Sequence, residues 1–170
     1  RELRNDQESY KWFSKAAEQG HVDAQFQLGL LYWSGRSVAT DYKIAAKWYR
    51  LAAEQGSKEA QFSLSNMYLQ GQGVSQDDKE AARLNQLAAE QGLVQAQVGL
   101  GLMYEDGMGV QKNHKEAFRW YRKAAKQGNA MAKSKLENLG KKPEKNLPLK
   151  NKIKTTDKKE VDPQIMKGLM

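Results

Sequence analysis

The 170-residue chain contains no cysteine. That excludes disulfides, thiolate zinc sites and cysteine nucleophiles, although it fixes no compartment. Its three prolines all fall after residue 142, so everything before them can be helix without a proline break. No apolar run of membrane-spanning length occurs. Histidine is nearly absent too: His21 and His114 are the only two, and neither sits in a metal-ligand spacing. They read as surface histidines. Apolar residues make up 39% and the mean hydropathy is −0.83, values that suit a thin, elongated fold with much surface per residue.

Positive charge is in excess but uneven. Of the net +8, residues 141–170 supply nine lysines against four carboxylates, leaving the first 140 residues nearly balanced. The balance argues against a nucleic-acid-binding domain. The chain opens at Arg1 without a methionine, which reads as a processed form or fragment. Periplasm, secretion and cytoplasm all stay open on that evidence.

What is present is a repeat. Ala16-Ala17-Glu18-Gln19-Gly20 returns at Ala52, Ala88 and, with lysine for glutamate, Ala124, each step being 36 residues. Gly35, Gly71 and Gly107 keep the same step, as do Val38, Val74 and Val110. Each unit reads as two helices. Asn5, Asp41, Asp77 and Asn113 stand at N-cap positions. Glu8, Glu80 and Glu116 follow three residues later and complete a capping-box pattern. Ala45, Trp48, Tyr49 and Ala52 share one helix face, and Gly56 ends that helix. Ala60, Leu64, Met67 and Tyr68 form the stripe of the second helix. A hairpin this short cannot bury both apolar faces alone, so the units should stack.

The sequence therefore predicts an all-α solenoid at residues 1–140, with units near 5–40, 41–76, 77–112 and 113–140, followed by a basic lysine-rich tail at 141–170. Gly29 and Gly101, with Ser65 between them, should let the next helix approach closely. Lys133, Lys135, Glu137 and Asn138 suit a terminal helix with a polar outer face.

The run Ala46-Lys47-Trp48-Tyr49-Arg50-Leu51-Ala52-Ala53-Glu54-Gln55-Gly56, followed by Ala60-Gln61-Phe62-Ser63-Leu64, Met67-Tyr68, Gly71-Gln72-Gly73-Val74 and Asp77, resembles the Sel-one-like repeat family, a relative of the tetratricopeptide repeats. Two departures concern local packing: Leu84-Asn85 replaces an aromatic pair, and Ser37 replaces a loop glycine. The resemblance implies a right-handed α-α superhelix and an adaptor role in a bacterial setting, such as envelope processes, host interaction or toxin immunity. Eukaryotic relatives act in membrane-protein degradation complexes. A cysteine-rich branch is linked to penicillin binding, and this sequence lacks its disulfides.

Candidate sites follow. No nucleophile–base constellation is visible, and the glycine loops at Gly71–Gly73 and Gly107–Gly109 follow helices rather than strands, so no catalytic, cofactor or metal residue is assigned. Trp12, Trp48 and Trp120 align, as do Phe13, Tyr49 and Tyr121, and they share a face with small alanines, which reads as core. Phe26, Leu30 and Trp33 point away from the core face of their helix. They read as packing between units or as a partner-binding patch with Trp33 as its anchor. A basic ladder joins Lys43, Lys79 and Lys115 to Lys11, Lys47, Arg83 and Arg119, with Arg50 and Arg122 beside it. It reads as a solvated face diluted by Glu18, Glu54 and Glu90, or as a seat for an acidic or phosphorylated protein or peptide. The expected function is a non-enzymatic protein-interaction adaptor. A toxin-immunity or virulence-associated protein is a narrower version, and an anionic-surface or nucleic-acid binder acting through the tail is an alternative. Asp162–Met170 could form a short capped helix within that tail.

Overall fold

The computed structural model describes the backbone of residues 2–141 and the side chains of residues 8–139. The expectations for the tail beyond residue 141 lie outside the described residues. Within them eight helices follow one another, with no strand: α1 (Glu2–Glu18), α2 (Val22–Ser34), α3 (Tyr42–Glu54), α4 (Lys58–Gln70), α5 (Asp78–Glu90), α6 (Val94–Asp106), α7 (His114–Lys126) and α8 (Ala130–Lys141). Each helix packs on its sequence neighbours, and the result is an all-α solenoid.

Local chemistry sets the helix ends. Asp41 accepts from the Ile44 amide, and Asp77 and Asn113 each accept from two amides of the following turn. Gly35, Gly71 and Gly107 close α2, α4 and α6 in the left-handed conformation, where a side chain would be strained. Two expectations about caps are corrected. α1 begins at Glu2, so Asn5 lies inside the helix. The glutamates also do not complete capping boxes. The amides of Asp41, Asp77 and Asn113 are already donated to the carbonyls of Tyr32, Tyr68 and Tyr104 in the preceding helix. That contact turns the chain into the next helix and leaves Glu80 and Glu116 to meet Arg83 and Arg119 instead. No described helix precedes α1 to offer Asn5 such a carbonyl.

The most extensive packing joins α2 to α3, α4 to α5 and α6 to α7, and the turns within each hairpin join α1 to α2, α3 to α4 and so on more lightly. Small residues make the tight joints. A methyl added to Gly29 would lie 2.6 Å from the Tyr49 ring, and one on Gly101 would strike Tyr121. Tyr49 and Tyr121 are fully buried there. In the middle joint the tyrosine position is Asn85, and the small partner Ser65 donates to the Ala81 carbonyl at 2.8 Å. Alanines fill the rest: Ala45, Ala52, Ala60, Ala81, Ala88, Ala96, Ala117 and Ala124 have no exposed surface.

A buried glutamine ladder crosses the joints. Gln25, Gln61 and Gln97 are each 4% exposed. Each donates to an alanine carbonyl of the helix before it: Ala17, Ala53 and Ala89, at 3.2–3.3 Å. Each accepts from the glutamine that ends the next unit's first helix: Gln55, Gln91 and Gln127, at 2.8–2.9 Å. A buried amide left unpaired costs about 1–3 kcal/mol, so this bond holds the units in register.

The aromatic alignment is core only in part. Trp48 packs against Ala17, Ala24 and Leu28 of the hairpin before it, and Trp120 against Ala81, Ala96 and Leu100. Trp12 is 72% exposed, contrary to the core reading, because its counterparts fill space against a preceding hairpin and no described helix precedes α1.

Two substitutions test these joints. Gly101→Ala should lower stability by about 1–2 kcal/mol in a denaturant melt, since overlap with Tyr121 outweighs the usual gain of about 1 kcal/mol from replacing a helical glycine. Ser37 holds a left-handed φ of 72° where Gly73 and Gly109 stand in later units. Ser37→Gly should therefore raise stability by about 1 kcal/mol in the same measurement.

Candidate functional site

The stripe on α2 divides. Phe26 lies on the Tyr49 ring, centroids 5.7 Å apart, and belongs to packing between units. Leu30 and Trp33 are 38% and 44% exposed. They face an open cleft of about 220 Å³ completed by Tyr49, Ser63, Asn66 and Met67. The repeat explains why the cleft is open. One joint is closed by polar bonds: Glu105, at the position of Trp33, accepts from the Tyr121 hydroxyl at 2.6 Å and from Lys135 of α8 at 2.9 Å. At the first joint Trp33 and Ser63 replace that carboxylate and cation, and the Tyr49 hydroxyl meets Ser63 alone. Burial pushes the Tyr49 phenol up to about 12, offset in part by the Ser63 hydroxyl. Burial first, then the Glu105 carboxylate, raises Tyr121 further.

The basic ladder is exposed along α3, α5 and α7 at Lys43, Lys47, Lys79, Lys115 and Arg122. Three of its arginines are engaged. Arg83 grips Glu80 through two nitrogens, at 2.8 and 2.6 Å, and holds that carboxyl below its ordinary range. Arg119 meets Glu116 at 3.5 Å, and Arg50 donates to the Tyr68 hydroxyl at 3.1 Å. The carboxylates paired with the ladder are thus Glu80 and Glu116, one turn earlier on the same helix. Glu90 accepts from Gln86 instead.

A second cleft, of about 370 Å³, lies between α1 and α3 above α2, and sequence reasoning missed it. Tyr10, Leu28, Tyr32 and Trp48 line it, with Lys11, Ser14, Lys15 and Glu18. The Tyr10 and Tyr32 hydroxyls are 3.0 Å apart and their rings meet edge to face. That bond, and then burial, pushes Tyr32 up to about 12. The available signal was Ser14, which stands where Arg50 and Arg122 stand in later units. His21 and His114 are both exposed, and the described residues hold no group of three metal-ligating side chains.

Stacked hairpins with exposed interhelical clefts define the class of α-solenoid repeat proteins. Within that class a family model for the Sel1 repeat matches residues 2–21, 22–57, 58–93 and 94–129, and the chain belongs to the Sel1 repeat family. The matched unit 22–57 joins α2 to α3, so its phase coincides with the most extensive packing. Among solved structures, c5321, a protective antigen of uropathogenic Escherichia coli strains with an SLR fold, is 39% identical with a TM-score of 0.75. That match covers 76% of this chain and 28% of c5321. A Sel1 repeat protein from Oxalobacter formigenes is 37% identical with a TM-score of 0.72, covering 76% of this chain and 53% of its own. Helicobacter pylori cysteine rich protein B, 22% identical with a TM-score of 0.63, covers 79% of this chain and 96% of its own, and shares the fold. No curated protein sequence matches significantly.

The buried phenols make stability sensitive to alkali. The unfolded chain loses tyrosine protons near the ordinary 10.0, whereas folded Tyr49 keeps its proton to about 12. A raised folded value contributes stability that is complete below the unfolded value and is lost as pH rises through the folded one. Thermal melts should therefore fall steeply between those limits, and Tyr49→Phe should make the fall shallower.

Proposed function

We propose that the chain is a non-enzymatic scaffold that holds a partner polypeptide across its helix surfaces, as is common for Sel1 repeats. The exposure of Leu30 and Trp33 over an open cleft carries this reading. A tryptophan is costly to leave in water, and a half-exposed one on a rigid helix beside a preformed cleft is what an interface anchor requires. The exposed lysines Lys43, Lys47, Lys79 and Lys115 favour an acidic partner segment along the first helices of the units, with Phe26 acting as support beneath the anchor. Arg50, Arg83, Arg119 and Arg122 contribute positive field, the first three from fixed positions. We assign the scaffold to residues 1–140 and treat 141–170 as a basic appendage. The likeness to proteins of Escherichia coli and Oxalobacter formigenes supports a bacterial setting.

A photo-crosslinking residue placed at Trp33 or Lys47 should capture the same protein in the native cell, and one placed at exposed Gln95 should not. Against that protein once purified, Trp33→Ala, and Lys47→Glu combined with Arg83→Glu, should each weaken binding about tenfold or more, a loss of about 1.4 kcal/mol. Parental affinity in both variants would contradict the assignment.

A further inference from the structure

The cleft between α1 and α3 lies where the repeat differs at Ser14 and Tyr10, which stand for Arg50 and Ala46 of the second unit. In the second unit Arg50 stretches from α3 to the Tyr68 hydroxyl and occupies the space between the helices. The equivalent of Arg50 in the first unit is Ser14, and the equivalent of Tyr68 is Tyr32. Serine is too short to cross. The Tyr32 hydroxyl pairs with Tyr10 instead, and a space of about 370 Å³ is left.

The lining of that space is chemically specific. The Ser14 hydroxyl oxygen is buried and has no hydrogen-bond partner. Two phenols sharing one hydrogen bond use one hydrogen, so one hydroxyl of the Tyr10–Tyr32 pair keeps a donor to offer. Lys11 and Lys15 stand one helical turn apart on the same face, both exposed. Glu18 supplies a single negative charge at the same rim. The floor is Leu28 and the Trp48 ring. Hydroxyl donors within, two ammonium groups at the edge and an apolar floor together fit a carboxylate carried on a short apolar stem.

We infer that this cleft is a socket for an acidic side chain, glutamate or aspartate, of a bound polypeptide, with an apolar neighbour of that residue resting on Leu28 and Trp48. Two lysines against one glutamate leave a net charge of +1, which matches a carboxylate. A dianionic phosphate would face Glu18 without an arginine fork to hold it, since the arginine of this position is the one replaced. The inference rests on the scaffold reading above and adds to it the residue type that the first unit selects. It also makes the first unit differ from the second, in which Arg50 of the chain itself crosses the equivalent space.

The test uses the full chain labelled with nitrogen-15 and two probes, N-acetyl-Leu-Glu-Leu-amide and its glutamine counterpart. The glutamate probe should shift the amide signals of Ser14, Lys15, Tyr32 and Trp48 in a saturable way, and the glutamine probe should bind at least tenfold more weakly. Ser14→Arg inserts the side chain that Arg50 already places in the next unit, so it should keep the fold and abolish the response. Lys15→Gln should weaken the glutamate probe several-fold and leave the glutamine probe unchanged, which keeps the proposal exposed to refutation if Ser14→Arg does not fold. Equal response to both probes, or a Ser14→Arg protein that responds like the parent, would overturn the socket. A partner captured through Trp33 that binds Ser14→Arg at parental affinity would overturn it too, while leaving the scaffold reading standing.

Discussion

Each second helix of this chain must press one face against the first helix of the next unit, and most of the structure follows from that requirement. The contact is close because the residues at its centre are Gly29, Ser65 and Gly101, and because a ring lies directly over both glycines. Alanine fills the rest of the layer. The units are therefore thin, and no single hairpin has a core of its own. Burial here is a property of neighbours, so the stability of any unit depends on the units beside it.

Polar bonds then fix what apolar contact leaves loose. Apolar packing has little directional preference. The glutamine ladder and the cap amides donated to Tyr32, Tyr68 and Tyr104 do have direction. They recur with the period of the repeat, so each joint is built from the same two bonds. Variation is confined to positions outside that pattern, and there the surface gains its character. Glu105 and Lys135 close one joint where Trp33 leaves another open. Arg50 crosses one space where Ser14 leaves a void.

Much of this was legible in the residues alone. The 36-residue period fixed the number of units, and the caps at Asp41, Asp77 and Asn113 were readable because an N-cap bond is made within one turn of chain. The close approach at Gly29 and Gly101 was readable because glycine in a helix is costly without a packing reason. The misses share a cause. Glu80 and Glu116 fitted a capping box, but the amide they needed is taken by a carbonyl from another helix. Trp12 matched its aligned tryptophans in sequence, but no described hairpin precedes it of the kind on which they pack. The Ser14 cleft is a space left by an absent side chain, visible only when the partners of Arg50 are known. The glutamine ladder was in plain view as a repeated residue, yet glutamine near a helix end reads as solvated until its partner thirty residues away is seen.

The functional reading needs rigid joints, because clefts between helices keep their shape only if the helices keep their spacing. Backbone amide hydrogen exchange of the native chain measures that coupling directly. If neighbours stabilise one another, protection should be greatest in α3 to α6, whose neighbours are themselves packed on both sides, and should decline toward α1 and α8. Protection that is uniform from end to end, or greatest in α1, would contradict the account.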